Sequence, residues 1–444
     1  MPVILMTDGL VYILVGMLVW LLPLSLKSPY LRAKWRKACG HPLRMAAMVI
    51  LIAYAAIGFL DSLHFRAKLD SGANNTSNYS IKVTSVLDWL LLPTSEQTET
   101  TYSAPFATQS FAQKMIKDAQ GNITWLNSNL SYVAPDGTMM SVFLGITDGI
   151  MVWLVISLML WAVLVRYYKI RLNDQLPWRT GWFTLGLVLL LMFVSKRLML
   201  NYHIFGTDKV GVDVFYASIK SIRTGLIIGT LTTLITLPFA ILCGCMAGYF
   251  RGWIDDVIQY TYTILSSVPG VLLIAASVLI ADVVMQKHSE LFGLMAQRVD
   301  MRLLLLCCIL GLTSWTSLCR ILRGETLKLR EQEFVLAARA LGASGLQIII
   351  KHIVPNLFHI ILISVVLDFS GLVLAEAVLT YVGVGVDPSM FSWGTMINSA
   401  RMELGRDPIV WWSLAGAFML MFTLVLTANI FADGVRDAFD SKAV

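Results

Sequence analysis

The chain has 444 residues, of which 57% are hydrophobic and only 14% carry a formal charge. A soluble globular domain carries about 25% charged residues, so this composition excludes a water-soluble globular protein. It also excludes a disordered chain, which needs high charge and few aromatic residues. The class that remains is an all-α polytopic membrane protein. The net charge of +6 fits basic residues gathered in cytoplasmic loops.

Nine stretches are apolar and long enough, or nearly so, to cross a membrane as helices, which need about 17–25 residues. Strands are excluded because the stretches are too long and lack period-two alternation. Pro238 and Pro269 predict kinks in the fifth and sixth stretches. In chain order, the nine stretches lie at about 3–26, 44–62, 142–165, 181–200, 222–250, 257–282, 303–321, 353–381 and 409–432.

Two basic loops predict the orientation, because cytoplasmic loops are enriched in Lys and Arg. The loop after the first stretch has only basic charges, and the loop after the third has one acid, Asp174. With nine spans, the N-terminus is then outside and the C-terminus inside. Lys196 and Arg197 are basic residues at a helix end that this orientation places outside, so they are an exception to the rule. Their side chains could still reach the lipid headgroups by snorkelling. The basic residues of the two loops are Lys27, Arg32, Lys34, Arg36, Lys37 and Arg44, and Arg166, Lys169, Arg171 and Arg179.

A long polar segment, residues 63–141, follows the second stretch and is rich in Ser, Thr, Asn and Gln. The orientation places it on the periplasmic or outer side. It is long enough for a small cap domain, but its pattern predicts no particular internal fold. None of the six cysteines lies in it, and we interpret them as buried thiols.

The most informative cytoplasmic segment is residues 322–356, LRGETLKLREQEFVLAARALGASGLQIIIKHIVPN, which is too polar to span. Ala337 and Ala338 favour a short helix, and Gly342 is suited to end it. A second element should lead into the eighth stretch at Pro355. The small Ala face and flanking charges suit docking to a partner. A helix lying on the membrane surface fits the composition equally well.

The LAARALGAS sequence of this segment resembles the EAA loop of ABC importer permeases. That loop has Glu-Ala-Ala, three further residues, a Gly, and a Pro thirteen residues after the Gly. Ala337, Ala338, Gly342 and Pro355 occupy the matching positions here, and Leu336 replaces the Glu.

Three further segments narrow the resemblance to the dipeptide/oligopeptide permeases. FGTDKVGVDVF at 205–215 resembles their FGTD-x-x-GRDV segment, with Val212 in place of Arg. GYFRGWIDD at 248–256 resembles a short cytoplasmic turn, and ANIFADGVRDAFD at 428–440 resembles their C-terminal end. The C-type subunit is the best match, over about 203–440.

This resemblance implies the transmembrane subunit of an ATP-driven ABC importer for dipeptides and oligopeptides, in the bacterial inner membrane. The implied partners are a second homologous permease subunit, two ABC ATPase subunits, a periplasmic substrate-binding protein and lipid, with no nucleic acid. The chain has no GxxxxGK[ST] phosphate loop, so it should not be an enzyme. We expect it to bind no metal or cofactor, while ATP and Mg are used by the partner subunits.

Other functions remain open at this stage. An ABC importer for a metal chelate would share the motifs, because relatives of this group also carry such solutes. An ion-coupled secondary transporter would suit intramembrane acids, although no inverted repeat is visible. A membrane sensor with residues 63–141 as its ligand domain would need a signalling domain, and none follows.

Two groups of residues are candidates for the transport function. Asp368 and Glu376 lie in the eighth stretch, where an ionised carboxylate costs at least about 2.5 kcal/mol. Eight residues apart, they are about 80° apart around a helix, so both can face one cavity. They would line the translocation path and meet the amino terminus of a peptide, or pair with the sister subunit. The resemblance assigns the ATPase-coupling contact to Glu333, Phe334, Ala337, Ala338, Arg339, Gly342 and Pro355.

The expected organisation is a permease core preceded by accessory segments. Residues 1–62 hold N-terminal transmembrane helices and a basic cytoplasmic loop, and 63–141 form the polar periplasmic insert. Residues 142–202 form an additional transmembrane helix pair. Residues 203–444 form the ABC permease core with its EAA-like loop at 322–356.

Overall fold

The computed structural model describes most of the chain. The second basic loop, with Lys169, Arg171 and Asp174, lies outside the described residues. The residues that the structure describes are 2–67, 79–80, 83–91, 98–117, 123–133, 138–167, 176–288, 295–406 and 409–439.

The described chain is mainly helical, as the apolar stretches predict. A π-helical turn, Ile349–Ile353, joins α12 directly to α13. The helices are α1 (Met6–Lys27), α2 (Pro29–Ala38), α3 (Pro42–Asp61), α4 (Val86–Leu90), α5 (Thr138–Tyr167), α6 (Trp178–Leu198), α7 (Val214–Phe250), α8 (Trp253–Ser267), α9 (Gly270–Lys287), α10 (Met295–Arg330), α11 (Glu333–Ala340), α12 (Gly345–Ile348), α13 (Val354–Tyr381), α14 (Trp393–Glu403) and α15 (Trp412–Phe439).

Within the described residues, eight helical segments are long and apolar enough to span a membrane, against nine predicted. They correspond to the second through ninth stretches. The first stretch forms the 22-residue helix α1, of which Met6–Met17 is the apolar part within the residues described in full. The prediction of one kinked helix at 257–282 is wrong, because the helix ends at Ser267 and a new one begins at Gly270. Val268, which precedes Pro269, is extended (φ −88°, ψ 132°), as steric clash with a following proline favours.

The chain divides into two compact units. The first contains Met1–Ile4, Pro23–Gly225 and Met390–Phe431, and the second contains Leu5–Leu22, Leu226–Ser389 and Ala432–Val444. The predicted region boundaries at 62, 141 and 202 all fall inside the first unit, so the accessory segments after α1 pack as one body with the start of α7.

In the first unit, the polar insert contains secondary structure that its sequence pattern did not predict. Strands β1 (His64–Phe65) and β2 (Thr84–Ser85) pair antiparallel, and Ser85 begins α4 with a capping box. Strands β3 (Gln109–Lys117) and β4 (Ile123–Asn129) form a hairpin with an irregular register between Gln109 and Gln113.

A cluster of charges fixes this insert to the N-terminal end of α7. Lys220 Nζ lies 2.7 Å from Asp88 Oδ1 and 3.5 Å from Asp61 Oδ1. Tyr216 donates a 2.7 Å hydrogen bond to the same Asp88 oxygen. Burial raises the pKa of Asp88, but the Lys220 charge and the hydrogen bonds outweigh it, so the pKa is lowered overall.

The helices α5 and α6 pack closely through glycines. A Cβ at Gly145 would lie 2.8 Å from the Val194 Cα, and one at Gly149 would lie 3.0 Å from the Leu190 Cα. Small residues four apart permit this approach between membrane helices. Beside them, Arg197 Nη2 lies 2.7 Å from Asp148 Oδ2, so the basic exception at this helix end has an acidic partner.

In the second unit, α7 and α10 approach each other closely at two glycines. A Cβ at Gly244 would lie 2.9 Å from the Cys319 carbonyl oxygen, and one at Gly248 would lie 2.8 Å from the Arg323 carbonyl oxygen. Four of the six cysteines are buried, and Cys243 and Cys308 are partly buried; all six are free thiols, as predicted.

The loop before α7 requires glycine at one position in particular. Gly211 has φ +78°, and its carbonyl oxygen accepts a 3.0 Å hydrogen bond from Glu99 N of the insert. A Cβ at Gly211 would lie 1.8 Å from the Glu99 carbonyl oxygen. Both the backbone conformation and the lack of space therefore exclude a side chain.

Gly211→Ala should lower the free energy of unfolding by more than about 2 kcal/mol, because it adds a steric clash to left-handed strain. Gly252→Ala is the matched control, since Gly252 has φ +61° with nothing within 4 Å of its Cβ position, and it should cost only about 1–2 kcal/mol. Denaturant unfolding of the purified chain in detergent measures both. If both variants lost the same free energy of unfolding, the close approach of Gly211 to Glu99 would add nothing to the cost of the substitution.

Candidate functional site

The short helix α11 ends where its sequence predicts. Gln332 is its N-cap, and its last turn closes with hydrogen bonds from Ala343 N to Ala338 O (3.1 Å) and from Gly342 N to Arg339 O (3.0 Å). This pair of bonds is a Schellman motif, which needs a left-handed residue after the helix. Gly342 supplies it with φ +82°, so the prediction that the helix stops there is confirmed.

A single buried side chain anchors α11 in the second unit. Val335 is 1% exposed and belongs to the core cluster with Ile348, Ile353 and Leu357. Ala338 is partly buried against the same cluster. A helix of eight residues is not stable alone in water, so this packing holds α11 in place.

The rest of α11 is exposed in the isolated chain. Ala337 and Arg339 are exposed, and Phe334 and Leu336 are 42% and 47% exposed. Leu341, just after the helix, is 88% exposed and was not among the predicted contact residues. Its position beside the predicted Gly342 was the signal available in the sequence. Together these residues form an apolar face with charges on its flanks, suited to contact another protein.

Six of the seven predicted coupling residues lie on α11 or its C-terminal turn, and Pro355 does not. Pro355 lies in the first turn of α13, directly after the π-helical turn. The ring centroids of Phe334 and His352 are 6.5 Å apart, which brings α11 against the π-helical turn that leads to Pro355.

Two ion pairs join the ends of neighbouring helices around α11. Arg323 of α10 donates to both carboxylate oxygens of Asp255 in the first turn of α8, at 2.6 and 2.8 Å. Arg251, in the turn between α7 and α8, lies 3.1 Å from Glu331, which precedes α11. The Arg323 hydrogen bonds outweigh burial and hold the pKa of Asp255 below its ordinary value.

The two acids of α13 have different surroundings within this chain. Asp368 is exposed and makes no hydrogen bond or ion pair within the part of the chain that the structure describes. Glu376 is 1% exposed and accepts a 2.8 Å hydrogen bond from the Thr380 hydroxyl. Only Asp368 is therefore available to a partner subunit or to a water-filled path.

Comparison with known families gives this geometry a context. The family described as "Binding-protein-dependent transport system inner membrane component" matches residues 240–444, which include α11 and both acids of α13. The oligopeptide transport system permease protein OppC of Haemophilus influenzae is 32% identical over 251 residues, covering 56% of this chain and 74% of that protein. The chain belongs to this family.

Other members of the permease family are similar to the same extent. OppC of Bacillus subtilis is 32% identical over 240 residues, covering 54% of this chain and 72% of that protein. The dipeptide transport system permease protein DppC of Lactococcus lactis is 31% identical over 241 residues, covering 54% of this chain and 64% of that protein. The permease is thus a multi-pass inner membrane protein and one component of a binding-protein-dependent transport system.

Arg323→Gln in the permease should lower the free energy of unfolding by about 2–3 kcal/mol, because it leaves the mostly buried Asp255 carboxylate unpaired. Lys328→Gln is the matched control, since Lys328 forms an exposed pair with Glu325 that should contribute less than about 0.5 kcal/mol. Denaturant unfolding at neutral pH compares the two variants.

The same pair predicts a pH dependence. Because the pKa of Asp255 is lowered in the folded chain, its contribution to stability is fully present above its ordinary pKa. It is lost as the pH falls through the lowered value. The stability difference between wild type and Arg323→Gln should therefore shrink in acid, and a constant difference between neutral and acidic pH would contradict the assignment.

Proposed function

We propose that the permease is the transmembrane subunit of an ATP-driven importer for dipeptides and oligopeptides. Its relatives are named as oligopeptide and dipeptide transport permeases, which supports peptides as the substrate class. The main structural support for this proposal is the exposure of α11. Val335 anchors this helix, and most of the rest of its surface at the EAA-like motif is exposed. An ion-driven transporter would have no use for such a face.

In the proposed assembly, this chain pairs with a second homologous permease subunit. Two ABC ATPase subunits, which use ATP and Mg, dock on α11 and on its counterpart. A periplasmic binding protein delivers the peptide to the outer side. The N-terminus lies outside and the C-terminus inside, so α11 and the basic loop after α1 both face the cytoplasm.

ATP-driven closure of the ATPase pair would displace α11. The core cluster around Val335 would pass this displacement to α7, α10 and α13, whose residues it contains. Phe334 fills a pocket of the ATPase, and Ala337 allows close approach. Glu333 and Arg339 orient the contact. Gly342 allows the chain to turn back toward α12. The spanning helices would then alternate between outward-open and inward-open arrangements.

Ala337→Trp should abolish ATP-dependent peptide uptake, because a large ring on the exposed face of α11 prevents docking. Ala337 is a sharper test than Ala338, whose side chain packs against the core cluster. Ala33→Trp is the matched control, since Ala33 is also exposed on a helix, α2, which is predicted to be cytoplasmic. Proteoliposomes that contain the full transporter measure uptake, and co-purification measures ATPase binding.

The control should retain both uptake and ATPase binding. Normal uptake by Ala337→Trp would refute the coupling role of α11. Uptake driven by a proton or sodium gradient without ATPase subunits would refute the proposed function as a whole.

Asp368 has two possible roles in this assembly. The cost of an unpaired carboxylate in lipid requires either a polar or basic partner on the sister subunit or a water-filled path. In the path, Asp368 would meet the cationic amino terminus of the peptide. We favour the pairing with the sister subunit.

Asp368→Asn should therefore lower the yield of assembled transporter severalfold, with a parallel loss of uptake. Size-exclusion chromatography measures assembly, and proteoliposome uptake is normalised to assembled complex. A normal yield with uptake reduced per complex would assign Asp368 to the path instead. Glu376→Gln is the comparison, because Glu376 is buried and should instead lower the thermal stability of the chain.

A further inference from the structure

The first unit contains a large cavity on the side predicted to be periplasmic. Its volume is about 960 Å³, which is at the upper end of the range for small-molecule sites. Residues 101–113 of the insert form one wall, with Asn127 of β4. Arg406 and Val410, which lie between α14 and α15, complete the lining.

The cavity contains one guanidinium group that is already oriented. Arg406 Nε lies 2.5 Å from Glu403 Oε2, and the guanidinium carbon lies 5.3 Å from the centre of the Tyr102 ring. The two terminal nitrogens of Arg406 have no hydrogen-bond partner within the described ranges. Such a planar pair of donors matches a carboxylate, which it can bind through two parallel hydrogen bonds.

The remaining lining suits the other parts of a short peptide. The exposed amide side chains of Gln109, Gln113 and Asn127 can donate to and accept from peptide bonds. Phe106 and Phe111 offer aromatic surface for apolar side chains. A neutral sugar could use the amides and rings, but it would leave the terminal guanidinium nitrogens without a charged partner.

The backbone of the cavity wall is strained at an aromatic residue. Phe106 has φ +56°, which is rare for a bulky side chain, and its ring is 51% exposed. Its amide donates a 3.0 Å hydrogen bond to the His203 carbonyl oxygen, which holds this conformation. Strain that presents an exposed ring to a cavity is typical of binding sites.

The cavity is also connected to the start of α7. Phe111 packs edge-on against Trp412, with ring centroids 5.2 Å apart. The Trp412 indole donates a 2.9 Å hydrogen bond to the carbonyl oxygen of Thr207, in the FGTD segment that leads into α7. An occupant of the cavity would therefore contact a wall that is continuous with the permease core.

We propose that this cavity is a peptide-binding site on the permease itself, in which Arg406 binds the free carboxylate at the end of a short peptide. The inference rests on the proposed peptide import. The site would hold the peptide after its release by the binding protein and before its entry between the spanning helices.

The test measures binding of a fluorescent tripeptide to the assembled transporter in nanodiscs, without the binding protein. The peptide with a free carboxyl terminus should bind the wild type at least about tenfold more tightly than its carboxyl-terminal amide. Arg406→Gln should remove this preference. Arg406→Lys keeps a positive charge beside Glu403 but lacks the planar pair of donors, so it should retain only part of the preference.

Two further variants separate binding from folding. Lys209→Gln removes an exposed positive charge from the loop before α7 without touching the cavity, and it should bind the peptide as the wild type does. Phe106→Gly relieves the backbone strain, so it should weaken peptide binding without lowering the midpoint of thermal unfolding.

Equal affinity of the wild type for the acid and the amide would overturn the inference, as would an unchanged preference in Arg406→Gln. Displacement of the peptide by a neutral oligosaccharide of higher affinity would also overturn it. A measurement of peptide uptake by the complete transporter with its binding protein distinguishes a failure of the proposed function from a failure of this binding site. A wild type that imports no peptide refutes the proposed function, whereas normal import with no carboxylate preference refutes this site alone.

Discussion

The contact between the C-terminal halves of α7 and α10 is the constraint on which the proposed coupling depends. Gly244 and Gly248 let the two backbones approach, and the pair between Arg323 and Asp255 adds α8 to the same group. Val335 of α11 packs against a core cluster that includes residues of α7 and α10. Without these two helices, the eight-residue α11 would lose this packing, and so short a helix does not form on its own. In the proposed mechanism, a force applied to α11 moves the spanning helices because these helices are joined where it is applied.

The outer side of the first unit is organised by a different kind of interaction. Lys220 is surrounded by Asp61 and Asp88, and Tyr216 donates to the same Asp88 carboxylate, so the charges are compensated away from water. A buried charge without partners costs several kcal/mol, whereas a satisfied network specifies one arrangement. The insert is therefore attached at a defined position by its helix α4, and its backbone also bonds to Gly211 in the loop before α7.

The sequence predicted the helices and the end of α11 well, because both depend on local signals. Apolar runs of span length identify helices, and Gly342 followed by a change of pattern identifies a Schellman end. The break at Pro269 was mistaken for a kink, since the apolar run continues on both sides. The pair between Arg197 and Asp148 depends on a contact between residues distant in sequence. No single-segment pattern contains such contacts, and the exposure of Leu341 likewise depends on which face Val335 anchors.

The helix α7 contributes residues to both compact units. It is one helix of 37 residues, with Lys220 near its N-terminal end and Gly248 near its C-terminal end. Backbone hydrogen bonds prevent it from stretching, so a displacement of its C-terminal end must either strain the contacts of Lys220 or bend the helix. Pro238 lacks the amide that would close its turn, and it is the natural point for such a bend.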